Sequence, residues 1–110
     1  MGDVGANNGF ETVARAADFL PGQLMYVEYR DEPVCLINLD GDVFALSDPC
    51  THEEASLSDG EIVGDEIECP LHGGAFDIRT GAPTSFPVVV AAETYAVRVI
   101  DDLIQIAKKV

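Results

Sequence analysis

Short hydrophobic segments separated by turn residues run through most of this chain. Seven segments rich in apolar, β-branched and aromatic residues predict strands, at Gln23–Tyr29, Val34–Leu39, Val43–Ser47, Glu66–Cys69, Ala75–Arg79, Thr94–Ile100 and Leu103–Ala107. Asp40-Gly41 predicts a two-residue hairpin turn, and Asp101-Asp102 predicts a closing hairpin. One short helical pattern lies around Ala14–Phe19. This spacing favours an all-β fold, a small antiparallel β-sandwich or barrel.

The length and composition indicate one domain spanning residues 1–110. The chain has 110 residues, of which 47% are hydrophobic, so it has enough apolar surface for one core. The longest clear apolar run, Val88–Ala92, suits a strand and is far shorter than the roughly 20 residues of a membrane helix. The first ten residues lack the basic and apolar regions of a secretory signal. We therefore expect a soluble, cytoplasmic protein.

The charge of the chain is strongly negative and unevenly placed. Six basic residues face 20 acidic ones, for a net charge of −14. Thirteen of the acids lie between Asp31 and Asp77, where there is no Lys or Arg. Such a chain repels nucleic acid and anionic membranes, whereas a basic protein partner or a cation would be attracted. The alternative is that the acidity serves solubility alone.

Two pairs of soft metal ligands lie inside this acidic stretch. They are Cys50-Thr-His52 and Cys69-Pro-Leu-His72, with sixteen residues between His52 and Cys69, and they use both histidines of the chain. An odd number of cysteines without an export signal favours metal or redox chemistry over disulfides. The third cysteine, Cys35, lies in a predicted strand and is interpreted as a buried apolar residue. The alternative is two buried thiols and two surface histidines without a common role.

The mixed composition of each pair indicates the kind of metal centre. Structural zinc sites commonly group like residues, as Cys-x-x-Cys and His-x-x-x-His. Here each loop supplies one Cys and one His, which suits two metal atoms that each bridge both loops. In Rieske [2Fe–2S] centres two His replace two Cys on one iron, which matches this arrangement.

The stretch from Cys50 through Cys69-Pro70-Leu71-His72-Gly73 resembles the Rieske fingerprint. The continuation Gly74-Ala75-Phe76-Asp77 and Thr80-Gly81 fits it too. The resemblance is to the small Rieske-type ferredoxins of bacterial aromatic-ring-hydroxylating dioxygenase systems. It implies one Rieske-type [2Fe–2S] cluster, with Cys50 and Cys69 on the inner iron and His52 and His72 on the outer iron. It also implies that both cluster-binding loops lie at one tip of the fold.

Differences from another branch of this family concern the reduction potential. Rieske proteins of respiratory complexes carry a further Cys in each loop, where this chain has Ala55 and Leu71. They also carry a Ser and a Tyr whose hydroxyls bond to sulfur, where this chain has Gly74 and Phe76. Because hydrogen bonds to sulfur stabilise the added electron, we expect a potential toward the low end of the Rieske range, about −150 mV. Gly73 and Gly74 would let the backbone approach the sulfides.

The resemblance implies an electron carrier rather than an enzyme. After two His are used at a Rieske site, no third His remains for the mononuclear iron of a terminal oxygenase, and there is no Gly-rich nucleotide fingerprint. We expect a monomeric ferredoxin that carries one electron at a time from a flavin-dependent NAD(P)H reductase to a terminal oxygenase. Two alternatives are a Rieske-like small subunit of an assimilatory nitrite reductase and a zinc-stabilised binding module.

Both redox partners are expected to dock at the tip that carries His52 and His72. Asp48, Glu53 and Glu54 also lie in the tip loops, so basic partner faces and electrostatic steering are expected.

Overall fold

The computed structural model of the chain describes residues 9–51, 54–71 and 73–109. Within them lie ten strands and two single-turn 3₁₀ helices, at Ala16–Asp18 and Leu57–Asp59. The strands are β1 (Glu11–Arg15), β2 (Leu24–Tyr29), β3 (Glu32–Leu39), β4 (Asp42–Ser47), β5 (Glu61–Val63), β6 (Glu66–Glu68), β7 (Ala75–Asp77), β8 (Pro83–Ser85), β9 (Thr94–Ile100) and β10 (Leu103–Lys108).

The strands form two antiparallel sheets. A six-stranded sheet has the order β1-β10-β9-β4-β3-β2, and its two edge strands contact each other, so it is nearly a closed barrel. A four-stranded sheet has the order β5-β6-β7-β8. The predicted all-β antiparallel fold is therefore confirmed. No helix in the described part of the chain is long and apolar enough to cross a membrane.

Both predicted hairpins are present. Asp40 and Gly41 have φ values of 54° and 100°, and Asp101 and Asp102 have values of 51° and 69°. Positive φ at both central residues defines the turn whose twist matches that of the flanking strands. The strands at either side of each turn pair in register, with Leu39 opposite Asp42 and Leu103 opposite Ile100.

One sequence prediction is confirmed in part and another is wrong. The helical pattern around Ala14–Phe19 contains the 3₁₀ helix Ala16–Asp18, whereas Ala14 and Arg15 are the last residues of β1, which pairs with β10. Val88–Ala92 was expected to suit a strand and is not one. Its backbone bonds to turns, with Val88 N donating to Ser85 O (3.1 Å) and Ala92 N donating to Gly81 O (2.8 Å). The short strands β5 and β8 have only three residues each and were not predicted.

Two groups of buried side chains fill the interior, and β3 contributes to both. The first, here called the loop-side core, includes Cys35, Ile37 and Leu39. The second, here called the barrel core, includes Val34 and Leu36. Because successive side chains of a strand point to opposite faces, β3 is buried on both sides and separates the two cores. The loop-side core lies beneath the predicted ligand loops.

Candidate metal centre

Two loops carry the predicted ligands, and both are closed in the same way. Loop 1 (residues 48–56) follows β4, and loop 2 (residues 69–74) joins β6 to β7. The amide of Cys50 donates to Ala55 O (2.8 Å), and the amide of Cys69 donates to Gly74 O (2.7 Å). Each cysteine therefore lies at the neck of its loop, where the backbone is fixed by a hydrogen bond to the residue five positions later.

Cys50 and Cys69 both lie in the loop-side core although they come from different loops. They are 6% and 4% exposed. An open groove of about 630 Å³ also runs between the loops, lined by residues of both, among them Ala55 and Leu71. Two buried thiols from adjacent loops fit the soft-ligand half of a Rieske site. The predicted ligands His52 and His72, and the predicted docking acid Glu53, lie outside the described residues.

Cys35 is fully buried within β3, as the sequence predicted. It belongs to the same core as the other two cysteines, and its Sγ lies 3.8 Å from Leu36 O. Burial, and then the charge of Asp48, raise the pKa of the Cys35 thiol. A thiol that stays protonated is a poor metal ligand, so its environment agrees with a packing role.

Asp48 holds the base of loop 1 rather than facing solvent. Its carboxylate accepts hydrogen bonds from Ser58 N (2.9 Å) and from Ser56 Oγ, and its backbone oxygen accepts one from Leu57 N (2.7 Å). Only 4% of the residue is exposed. The prediction that Asp48 is a docking charge is therefore wrong, because this carboxylate is used inside the protein.

A third segment, residues 86–90, contacts both loops and was not recognised from the sequence. Thr51 Oγ1 in loop 1 donates to Val90 O (2.7 Å). Val88 is buried in the loop-side core, and a Cβ at Gly74 of loop 2 would overlap with its Cγ2. We call residues 86–90 the covering segment. The sequence signal for this segment was the apolar run Val88–Ala92. In an edge or surface strand, polar residues would have interrupted such a run.

The two glycines of loop 2, Gly73 and Gly74, are needed for different structural reasons. Gly73 has a φ of 72°, a left-handed conformation that favours glycine. Gly74 is buried, and a side chain at this position would overlap with Val88. Packing against Val88 therefore accounts for the glycine at position 74, and the approach of the backbone to the sulfides stays a prediction.

Exposed acids lie near the loops in the described part of the chain, and the exposed cation beside loop 1, Lys108, is paired with Glu32 and Glu93. Glu54, Asp59 and Glu61 are exposed there. Four cations form ion pairs with other acids, in the pairs Arg15–Asp102 (3.6 Å), Arg30–Glu11 (2.7 Å), Arg79–Asp65 (3.4 Å) and Lys108–Glu32 (3.1 Å). The acidic residues at the loops are therefore not neutralised by these cations.

Comparison with known sequences gives one family. The profile of the Rieske [2Fe-2S] domain matches residues 10–96. The ferredoxin component of the naphthalene 1,2-dioxygenase system of Pseudomonas putida is 39% identical over 83 residues, which are 76% of this chain and 80% of that protein. Ferredoxin CarAc of Metapseudomonas resinovorans is 38% identical over 96 residues, which are 86% of this chain and 90% of that protein.

Comparison with solved structures agrees with this. A chain in the complex of reduced oxygenase and oxidized ferredoxin of carbazole 1,9a-dioxygenase has a TM-score of 0.87 and 37% identity, covering 94% of this chain and 99% of that chain. The ferredoxin of carbazole 1,9a-dioxygenase from Nocardioides aromaticivorans IC177 has a TM-score of 0.86 and 37% identity, covering 91% and 98%. A nitrite reductase small subunit has a TM-score of 0.77 at 22% identity, covering 88% and 96%, a likeness of fold alone.

Replacing Asp48 with Ala should loosen loop 1. Its partners Ser56 Oγ and Ser58 N would lose their acceptor, and a part-buried donor left unpaired costs about 1–3 kcal/mol. The free energy of unfolding, measured by chemical denaturation, should fall by this amount. Asp59→Ala is the matched control. Asp59 is exposed in the 3₁₀ helix that follows loop 1, so its loss should change stability by no more than about 0.5 kcal/mol. Equal effects of the two substitutions would contradict the role of Asp48.

Proposed function

Because this chain belongs to the Rieske [2Fe-2S] domain family, we propose that it is the ferredoxin of a multicomponent aromatic-ring-hydroxylating dioxygenase system. In this role it carries one electron at a time from a flavin-dependent NAD(P)H reductase to a terminal oxygenase. The observation that carries the proposal is the pair of buried cysteines, Cys50 and Cys69, at the closed necks of two adjacent loops. The ferredoxin components among its relatives support the same role.

The proposed ligands are Cys50 and Cys69 on one iron and His52 and His72 on the other. When bound, the cluster supplies reversible one-electron transfer without proton or group transfer by the protein. The chain fixes the two thiol ligands through the amide hydrogen bonds at the loop necks. Fixed ligands change little between oxidation states, which keeps the reorganisation on electron transfer small.

The apolar surroundings of the thiols exclude water from the inner side of the site. Leu57, Ile67, Phe76 and Val88 belong to the same core as the two cysteines, and each is 4% exposed or less. The carboxylate of Asp48 lies two residues before Cys50 and is buried with its hydrogen-bond donors. Apolar burial and nearby negative charge both disfavour an added electron, which supports a low potential.

The remaining parts of the proposal concern the setting in which the protein works. We propose that it is a monomer in the cytoplasm, where reducing conditions suit buried thiols and NAD(P)H supplies the electrons. Its acidic loop region, with Glu54, Asp59 and Glu61 exposed, would meet basic faces on the reductase and the oxygenase.

The ligand set can be tested by single substitutions to Ala. Changing Cys50, His52, Cys69 or His72 should prevent a stable two-iron cluster, because one of the two irons would lose one of its two protein ligands. Iron and sulfide analysis, together with the visible and electron paramagnetic resonance spectra, measures this. Cys35→Ser is the control and should retain the cluster, with a cost in stability. A protein that keeps a normal Rieske spectrum after His52→Ala would contradict the assignment.

The potential can be tested at Phe76, which is fully buried and offers no hydroxyl. Phe76→Tyr should raise the midpoint potential by about 40 mV if its hydroxyl reaches a sulfur, since one hydrogen bond contributes about 1 kcal/mol. Voltammetry measures the shift. Phe19→Tyr is the matched control, because Phe19 is also buried but belongs to the barrel core, where a hydroxyl should leave the potential unchanged. Gly74→Ser needs Val88→Ala beside it, because Val88 fills the space of the new side chain.

The function itself is tested by reconstitution. The purified protein should pass electrons from a flavoprotein reductase to the oxygenase component of a carbazole, naphthalene or biphenyl dioxygenase system, measured as product formed per NAD(P)H consumed. Cys69→Ala should abolish this transfer. A wild-type protein with a full cluster that supports no oxygenase in the panel would contradict the proposed function.

The same assay tests the steering by acidic side chains. Transfer should slow as salt rises, because charges are screened over about 10 Å at 0.1 M ionic strength. Glu54→Gln with Asp59→Asn should slow transfer at low salt and flatten the salt dependence. Asp101→Asn with Asp102→Asn, at the far hairpin, removes the same charge as a control. Rates that do not depend on salt in any of these proteins would mean that the acids do not guide docking.

A further inference from the structure

Three large apolar side chains of the covering segment face solvent. Phe86 is 85% exposed, Val89 72% and Val90 58%. They lie in the uncharged run from Thr80 to Ala92, in a chain of which 24% is charged. We call these three residues the apolar lip. Monomeric proteins rarely gather large apolar side chains at the surface without a binding role.

The fold itself does not require these three side chains to be apolar. The covering segment is held by its own Val88 and by Ala92, two residues beyond its end, and both are 4% exposed and belong to the loop-side core. Backbone bonds from Val88 N to Ser85 O and from Ala92 N to Gly81 O fix it further. Polar residues at positions 86, 89 and 90 would leave these anchors unchanged. The apolar character of the lip is therefore not needed for folding.

The lip lies directly beside the two ligand loops. Val88, between Phe86 and Val89 in sequence, packs against Gly74 of loop 2. Val90 accepts the hydrogen bond from Thr51 Oγ1, one residue after Cys50. Leu71 of loop 2 is also exposed, at 43%. A protein that docks over Thr51 and Gly74 would therefore contact the lip.

We propose that the apolar lip is the hydrophobic centre of the surface that docks the terminal oxygenase, and this rests on the proposed function. The matching face would have an apolar centre and a basic rim, since the exposed acids Glu54 and Asp59 lie beside the loops. A second copy of this chain is a poor occupant, because two chains of net charge −14 repel each other. The same repulsion disfavours an anionic membrane.

Two kinds of contact then control different steps of the encounter. The acids raise the association rate and its dependence on salt. The lip buries apolar surface after contact and slows dissociation, with little dependence on salt. This combination retains the oxygenase long enough for transfer at the ionic strength of a cell, where steering is partly screened.

The test uses the holoprotein with Phe86→Ser and Val89→Ser. The partner is the oxygenase that accepts electrons from the wild type in the reconstitution. Surface plasmon resonance should show a Kd raised about tenfold at both low and high salt, mainly through faster dissociation, as expected for truncating central apolar contacts. The visible spectrum and reduction by dithionite should match the wild type, because neither residue belongs to a core.

The matched control is Val99→Ser with Ile100→Ser. These residues are 50% and 45% exposed, so they are also exposed apolar side chains. They lie at the far end of β9, while its near end adjoins loop 1, where Ser47 N donates to Glu93 O (2.8 Å). Seven residues of strand separate the two ends by about 20 Å. The control should bind the oxygenase as the wild type does.

Each other outcome would overturn the proposal in a distinguishable way. An unchanged Kd for the lip variant, with wild-type electron transfer intact, rejects the lip and leaves the proposed function standing. Slower reduction by the reductase with unchanged binding of the oxygenase assigns the lip to the other partner. A wild-type dimer in sedimentation equilibrium that the lip variant abolishes makes the lip a self-association surface. A wild type that binds no oxygenase rejects the proposed function and the lip together.

Discussion

The closure of each loop by the amide of its own cysteine is the constraint on which the site depends. It fixes the backbone of Cys50 and Cys69 and directs both residues into the loop-side core. Because the two necks lie on one core, neither loop can be displaced without disturbing the packing of the other. The segment 86–90 completes this arrangement by contacting both loops at once.

The contrast between buried and exposed acids shows how the same residue type serves two purposes in one loop. The carboxylate of Asp48 is occupied by its hydrogen bonds to Ser56 and Ser58, and these bonds fix the shape of loop 1. Glu54, only six positions later, is exposed and available to a partner. A count of acidic residues from the sequence cannot separate these roles, because the difference lies in the donors that folding brings to each carboxylate.

Much of the fold could be predicted because its local signals are strong. The two hairpins follow from Asp-Gly and Asp-Asp turns between alternating segments, and β9 was predicted with the bounds that it has. The pairs Cys50/His52 and Cys69/His72 stand out because soft ligands are so few in this chain. The Val88–Ala92 run was misjudged because apolar composition does not reveal which side chains are anchors. The burial of Val88 in the loop-side core, next to Gly74, separates it from its exposed neighbours Val89 and Val90.

The double burial of β3 has a consequence for how the molecule loses its structure. Cys35 and Ile37 pack into one core while Val34 and Leu36 pack into the other, so one strand is a shared wall. If either core unfolds, β3 loses the packing on one of its two faces. The other core is then exposed to solvent on the side that β3 had covered. The ligand loops and the barrel are therefore thermodynamically coupled and should unfold as one cooperative unit. A substitution that destabilises the barrel core, far from any ligand, would then also release the cluster.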